Sequence, residues 1–499
     1  MKPHDLLTLS PALPAVSPCQ ADSPVASMPG ARALYDALWK CNATPDATLR
    51  AEAQAFIEQC RIEARCSAGE PLPGPDALPR WMQANLEATG ARYKRYLAAR
   101  KAGGPRQYFS SRAHALYFLR AVAPTKLVDG AWLYGLLNDS GNPRLSDLIF
   151  TYLEELGDGR PDKNHVLIYR RLLDAMGILD WRAQDDRRYV QGALQLSLAA
   201  CTDTMLPEVV GFNLGYEQMP LHLLVTAYEL DELGIDPTYF SLHVTVDNAA
   251  GGHAQRALLA AAEIVPGTMD RAVFWRRVED GYRMSETGWG TNDAIASFDL
   301  HAELLRVMAH RAGEGQASHS DHCRIEGRTV NEWLSKPDGV PAFVDALQRG
   351  GWLVRDTDPA ESRFWRLLQG ETPHMFGVFN DYELQVIHDW IRGEAASDGM
   401  KFERGPAGAT SAARRPVRSF RQSQRLASAR GTGNPSLLSS DASPRFDPDL
   451  DALRRALNDG DDPVRQGTLL RQLLGPAFHW GTAGLEATRH VSSLMRAVA

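Results

Sequence analysis

The spacing of apolar residues along the chain predicts an almost entirely helical protein. From about residue 31 onward, apolar side chains recur every three to four positions, which is the spacing of one buried helix face. The pattern is strongest between residues 120 and 310, where predicted helices follow one another through short polar connections. The sequence contains no Asn-Gly hairpin and no sustained alternation of apolar and polar residues, so a sheet is not expected.

Composition divides the chain into segments with different expected roles. Residues 1–30 are rich in Pro, Ser and Ala without periodicity, which predicts a disordered arm. The stretch 396–447 is rich in Ser, Gly, Pro and Arg and predicts a disordered basic linker, for which a solvated tether is favoured over an anionic partner. The remaining segments are expected to be an N-terminal helical extension (31–105), a core bundle (106–310), a helical appendage (311–395) and C-terminal helices (448–499).

Charge and composition narrow the function classes. Of the 499 residues, 44% are hydrophobic, which is enough for a sizeable core. The formal net charge of −7 argues against nucleic acid as a partner, because phosphate recognition needs a basic face. No apolar run reaches the roughly 18 residues of a membrane span, and the N-terminus lacks the apolar region of a secretory signal. The six cysteines form no CxxC pair, so we expect a protein of the reducing cytoplasm.

Ionisable residues at the ends of apolar helices carry the first chemical signal. Glu155 ends one predicted helix and His165 begins the next, after a short turn that contains Gly157, Gly159 and Pro161. This turn can bring the two side chains to one point. The alternative is a solvated acid and an ordinary histidine at a helix start. Carboxylate and imidazole groups that project from several helices into an apolar interior are typical of a metal site.

Three further ligand-type groups follow downstream. Glu217 precedes a proline and a long apolar helix, so it can also be an acid favoured at a helix start. His243 and Asp247 are four residues apart on one predicted helix face among apolar or small residues, and the alternative is a buried hydrogen-bonded pair. His253 lies six residues beyond Asp247 and joins that face only if the helix is distorted, which the Gly-Gly pair between them makes easy.

These residues resemble the metal ligands of the iron-containing redox enzymes in the haem-oxygenase-like di-iron oxidase superfamily. The resemblance covers about residues 110–310, and the order Glu, His, Glu, His, Asp, His is similar to that of the family. Many members have a final histidine three residues after the aspartate, where this chain has Ala250, so His253 is the candidate. Asp129 is the nearest counterpart of a further upstream acid found in some members. The resemblance implies the metal ligands Glu155, His165, Glu217, His243, Asp247 and His253.

The resemblance also implies a fold and an activity. The fold is an all-α, haem-oxygenase-like helical bundle with an N-terminal extension and a C-terminal appendage. The cofactors are two non-haem iron ions, with dioxygen as co-substrate. The substrate is expected to be a small amino-acid-like or carboxylic-acid metabolite of specialised biosynthesis, and both a homodimer and an external electron donor are compatible with this interpretation. A metal-free or haem-binding protein on the same fold, and a non-catalytic helical scaffold, stay open as alternatives.

The C-terminal part of the sequence carries no comparable chemical signal. The composition changes after residue 393, and no cluster of ligand-type residues occurs beyond it. We therefore expect residues 396–499 to be dispensable for iron binding.

Overall fold

Helices account for nearly all the regular structure of the computed structural model. The only strands in the described part of the chain are β1 (Arg324–Ile325) and β2 (Arg328–Thr329), which pair antiparallel in a short hairpin. The expected all-α fold is therefore confirmed. The structure describes residues 30–41, 45–66, 71–246, 252–265, 267, 269–315, 322–335, 339–371, 373–393, 447–458 and 462–498.

Short turns and 3₁₀ segments connect the helices before and within the central region. The three N-terminal helices are α1 (Ala31–Lys40), α2 (Ala47–Cys66) and α3 (Leu78–Lys101). The central helices are α4 (Arg112–Ala121), α5 (Ala123–Lys126), α6 (Ser146–Glu155), α7 (His165–Ala175), α8 (Val190–Ala200), α9 (Thr202–Tyr216), α10 (Leu221–Glu232), α11 (Thr238–Val246), α12 (His253–Glu263), α13 (Arg271–Met284), α14 (Thr291–Ala296) and α15 (Leu300–Gly315). The 3₁₀ segments of this region are Ala131–Asp139, Pro143–Leu145, Gly157–Gly159 and Asp186–Tyr189.

Two further groups of helices follow the central region. None of the helices in the described ranges is long and apolar enough to cross a membrane. The first group is α16 (Val330–Leu334), α17 (Val340–Arg349), the 3₁₀ turn Pro359–Glu361, α18 (Arg363–Gln369) and α19 (Asp381–Arg392). The second group is α20 (Pro448–Asn458), α21 (Pro463–Leu473) and α22 (Thr482–Val498).

Two clusters of buried apolar side chains form the interior. The first is built around α6, α8, α9, α12 and α13, and it also takes side chains from α1, α2 and the three C-terminal helices α20–α22. The second is built around α4, α7, α10, α11 and α15–α19. The N-terminal and C-terminal helices therefore share their cores with the central helices, and the proposed domain limits stay predictions.

Helix α6 shows how an acidic residue enters this interior. Leu148, Tyr152 and Glu155 are spaced by four and three residues, so they lie on one face of the helix. All three are buried. The apolar periodicity that drives α6 into the core therefore carries Glu155 with it, to the point where the helix ends.

Candidate metal centre

One group of ligand-type side chains lies where the two apolar clusters meet. Asp129, Glu155, His165 and His243 are all buried, and each offers one ligand atom within 4.8 Å of the others. His165 Nδ1 lies 2.5 Å from Glu155 Oε2 and 3.9 Å from Asp129 Oδ2. His243 Nε2 lies 3.1 Å from Asp129 Oδ2. Two carboxylates and two imidazoles thus face one point from four separate parts of the chain.

A second group adjoins the first and shares one residue with it. Glu155, Glu217 and His253 are buried, and their ligand atoms again lie within 4.8 Å of one another. His253 Nδ1 lies 3.1 Å from Glu155 Oε1 and 3.2 Å from Glu217 Oε2. Glu155 therefore directs Oε2 towards His165 in the first group and Oε1 towards His253 in the second. A carboxylate that bridges two metal ions directs one oxygen towards each of them, and Glu155 is oriented in this way.

The backbone next to Asp129 is shaped for the close approach of Glu155. Gly130 has φ of +77°, and a Cβ added there would lie 2.9 Å from the Cβ of Glu155. Only glycine combines a left-handed backbone with this contact at no steric cost. The Asp129–Gly130 pair thus places a carboxylate directly against the end of α6.

Hydrogen bonds fix the orientation of the histidines and of one carboxylate. His243 Nδ1 lies 2.7 Å from the carbonyl oxygen of Tyr239 and donates to it, which leaves Nε2 as the nitrogen that faces Asp129. The Tyr239 hydroxyl donates to Asp129 Oδ2 at 2.5 Å. His253 Nε2 lies 3.0 Å from Glu154 Oε2, which directs Nδ1 towards the second group. Such partners set the direction of metal-binding lone pairs.

The electrostatics of the second group favour a positive charge. Burial would raise the pKa of Glu155, but His165 and His253 outweigh that effect and hold the pKa well below its ordinary value. Burial would likewise lower the pKa of His253, but Glu217, Glu154 and Glu155 raise it far above its ordinary value. These carboxylates therefore stabilise a cation at this point, and a bound metal ion meets the same requirement.

The donor set fits iron. Glu217 Oε1 is buried, and within the described part of the chain this oxygen makes no hydrogen bond. Buried polar atoms without such bonds are costly unless another group satisfies them. Carboxylate oxygen suits ferric iron and imidazole nitrogen suits ferrous iron. A buried site that combines both types of donor is therefore compatible with iron.

Comparison with known proteins supports this chemistry. Residues 116–286 match the family model described as an iron-containing redox enzyme. Over this segment the chain is similar to the iron-containing redox enzymes. The match contains every residue of both ligand groups. Searches of curated proteins and of solved structures returned no match.

The structure brings together most of the residues that the sequence predicted as metal ligands. Five of the six candidates lie in the two groups: Glu155, His165, Glu217, His243 and His253. The sixth, Asp247, lies outside the described residues. Their role as ligands stays a prediction, because the structure shows only their placement.

Two details of local structure differ from the sequence expectation. Glu217 directly follows the last residue of α9 rather than starting α10, so it is not an acid at a helix start. His253 is the first residue of α12, and the preceding Gly252 is extended with φ of −86° and ψ of −164°. The expectation that His253 joins the face of His243 through one distorted helix is therefore wrong. Two separate helices deliver these histidines to the same region.

The sequence interpretation undervalued two acids of the candidate metal centre. Asp129 was only a weak counterpart of an upstream acid, yet it belongs to the first group. Glu154 was not among the predicted ligands, yet it contacts His253 and forms an ion pair with Arg256. The available signal for Asp129 was an Asp-Gly pair between two apolar runs.

Proposed function

We propose that the chain is a non-haem di-iron oxidoreductase that uses dioxygen to oxidise a small molecule. The observation that carries the proposal is Glu155, whose two oxygens face the two ligand groups. A site for one metal ion would need neither the second group nor a carboxylate shared in this way. Membership of the matched segment in the iron-containing redox enzymes supports iron over other metals.

Each group supplies ligands in a fixed direction. In the first, Asp129, His165 and His243 would hold one ion with Glu155. In the second, Glu217 and His253 would hold the other. Bound iron supplies the capacity to reduce dioxygen and to oxidise an organic substrate. The residues of the chain contribute the directed lone pairs, the shared carboxylate and the exclusion of water.

Burial of the ligands is part of this proposal. The exposed fraction is 3% for Glu155, 1% for His165 and 0% for His253. Tyr239 and Tyr169, whose ring centroids lie 4.7 Å apart, line the first group and are themselves buried. Such apolar surroundings strengthen the electrostatic interactions and keep water from intercepting a reactive oxidant.

The proposal extends to the substrate. We infer a small amino-acid-like or carboxylic-acid metabolite of specialised biosynthesis, with an external electron donor where the reaction requires one. A panel of amino acids and carboxylic acids, with oxygen uptake as the readout, tests this part separately from metal binding.

The test of the metal centre is an anaerobic titration of the full chain with ferrous iron. We expect saturation at about two iron ions per chain, because two groups of ligands are present. A Mössbauer spectrum before and after exposure to oxygen should then show two iron sites that both become ferric. Saturation at one ion contradicts the di-iron proposal. A strong haem absorbance, or the absence of iron binding, favours one of the alternatives on the same fold.

Titration of three variants tests which residues bind each ion. Glu155→Ala should reduce binding at both positions, since its carboxylate is shared, whereas His243→Ala and His253→Ala should each remove about one ion. His114→Ala is the matched control, because His114 is also buried and contacts the carbonyl oxygen of Ile295, but lies outside both groups. The control should lower the melting temperature and keep two ions. Equal iron content in all four variants would show that these groups do not bind the metal.

A further inference from the structure

The C-terminal helices pack onto the turn that joins Glu155 to His165. The Tyr152 hydroxyl on α6 donates to the carbonyl oxygen of Leu474 at 2.6 Å. A Cβ added at Gly159, whose φ is +77°, would lie 2.3 Å from the carbonyl oxygen of Leu485 on α22. These contacts fix a segment far along the chain against the connection between two proposed ligands.

One histidine from this segment reaches the start of α7. His479 Nδ1 lies 3.1 Å from Asn164 Nδ2, and Asn164 immediately precedes His165. Asn164 caps the helix, because its Oδ1 accepts from the backbone N–H of Leu167 at 2.9 Å. Its Nδ2 also donates to the carbonyl oxygen of Leu156 at 3.1 Å. The amide of Asn164 thus ties together the end of α6, the start of α7 and His479.

This contact is inside the protein. The exposed fraction is 2% for His479 and 0% for Asn164. Burial, followed by the positive charge of Arg170, lowers the pKa of His479 to about 3, so the ring is neutral and Nδ1 can accept the amide hydrogen. The next residue, Trp480, lies under Arg170 of α7, with 3.7 Å from the guanidinium carbon to the ring centroid.

We propose that His479 is a positioning residue for the metal ligand His165 and that it acts through Asn164. The inference rests on the proposed metal centre and extends it to a part of the chain beyond the matched residues 116–286. The cap sets the backbone direction at the first residue of α7, which is His165. By accepting the second amide hydrogen, His479 holds the cap in the rotamer that keeps His165 facing Glu155.

The proposal reverses the expectation that the C-terminal part is dispensable for iron binding. That expectation rested on the change of composition after residue 393 and on the absence of ligand-type clusters beyond it. His479 is not a ligand in this proposal, and no local sequence pattern connects it to Asn164. A truncation that removes it is expected to weaken metal binding, although every proposed ligand stays in the chain.

The test compares two substitutions of His479 in the full chain with cobalt(II) as the metal probe. Loss of a residue that orients a metal ligand lowers metal affinity roughly 10–100-fold. We expect a loss of this size for one of the two cobalt ions in His479→Ala, with a change in its visible absorption spectrum. In His479→Asn the side-chain oxygen replaces Nδ1 as acceptor, so affinity and spectrum should return towards those of the wild-type chain.

The matched control is Leu453→Ala, which removes a fully buried side chain from α20 of the same C-terminal segment. It should lower the melting temperature and leave the cobalt spectrum unchanged. If His479→Ala resembles this control, with a lower melting temperature and an unaltered spectrum, the positioning role is wrong. Binding of neither iron nor cobalt by the wild-type chain would instead refute the proposed function itself.

A second variant keeps the test decisive if His479→Ala fails to fold. Asn164→Ser retains a helix cap but removes the amide donor that His479 accepts. We expect this variant to lose affinity for the same cobalt ion, and His479→Leu, which fills the space of the ring but offers no acceptor, to add little further loss in that background. Additive losses would show that His479 acts by a route other than Asn164 and would overturn the proposal.

Discussion

His253 is held from both sides of its ring by acidic residues. Nδ1 faces Glu155 and Glu217, while Nε2 lies 3.0 Å from Glu154 Oε2. Arg256 forms an ion pair with the same Glu154 carboxylate at 2.9 Å. In metal sites, a carboxylate on the far nitrogen of a histidine fixes the ring and strengthens it as a ligand. Glu154 is placed for this role in the second group.

We predict that Glu154→Ala weakens the binding of one metal ion and spares the other. The expected loss is roughly 10–100-fold, because the ring of His253 is no longer held. Glu154→Gln should lose less, since its amide oxygen can still accept from Nε2. Cobalt titration followed by visible absorption measures both affinities.

The matched control for Glu154 is Arg256→Gln, which leaves the carboxylate in place. This control should bind both ions nearly as the wild-type chain does. An equal loss of both ions in Glu154→Ala would show that the residue stabilises the whole fold rather than the orientation of His253.

At the scale of single residues, sequence predicted which types of side chain form the site but not all of their partners. Glu155 was identified because it ends an apolar helix face and is followed, ten residues later, by a histidine at a helix start. Its neighbour Glu154 has the same side chain and nearly the same context in the sequence. The two residues differ in how they face α12, and the local sequence of α6 does not specify where α12 lies.

At the scale of elements, the connection between α5 and the 3₁₀ segment Ala131–Asp139 requires glycine at one position. Gly130 combines a φ of +77° with a close approach to Glu155. Gly103 has a similar φ of +88°, but a Cβ added there would meet nothing within 4 Å. The two positions differ in the contact rather than in the backbone conformation.

We predict that Gly130→Ala destabilises the fold more than Gly103→Ala. Both substitutions introduce the strain of a left-handed alanine, about 1–2 kcal/mol. Only the first also displaces Glu155, so it should add a steric cost and lower the metal content. Thermal unfolding and iron stoichiometry measure the two effects. Similar melting temperatures and full iron content in both variants would contradict the tight fit at Gly130.

The elements themselves were predictable where apolar periodicity is regular. Helix α6 ends at Glu155 and helix α7 begins at His165, as the sequence pattern predicted. Glu217 precedes the proline and the helix α10 as the sequence indicated, but the alternative of a helix-start acid does not hold, because Glu217 directly follows α9 and α10 begins only at Leu221. The break before His253 was missed because a glycine pair suits both a distorted helix and a separate one.

At the scale of the whole molecule, the two ligand groups join the two apolar clusters. His165 and His243 lie on helices of the second cluster, while Glu155 and His253 lie on helices of the first. A metal ion bound between these helices links the clusters directly. Metal occupancy should therefore affect the stability of both clusters together.

We predict that metal raises the unfolding temperature of the whole chain in one cooperative step. An ion that binds only the folded state at 100 times its dissociation constant adds about 2.7 kcal/mol of stability. Differential scanning calorimetry with and without iron, and after chelation, measures this shift. Two separate transitions, of which only one responds to the metal, would show that the clusters unfold independently of the site.

The contact of the C-terminal segment with the candidate metal centre could not be predicted from the sequence, for a physical reason. His479 and Asn164 are 315 positions apart. Periodicity and helix-end signals describe neighbours along a helix, whereas this contact depends on how distant helices pack. The composition change after residue 393 correctly marks a different kind of segment. It does not reveal that the chain returns to the central helices.

The contact between His479 and Asn164 has a consequence for protein synthesis. All the proposed ligands leave the ribosome before His479 does, and at normal rates of translation the interval after His253 is on the order of tens of seconds. During that time the nascent chain presents carboxylates and imidazoles without the residue proposed to position His165. Copper and zinc bind such donors more tightly than ferrous iron does. Binding of iron rather than copper or zinc is therefore favoured if the site is completed only after α20–α22 pack against the central helices.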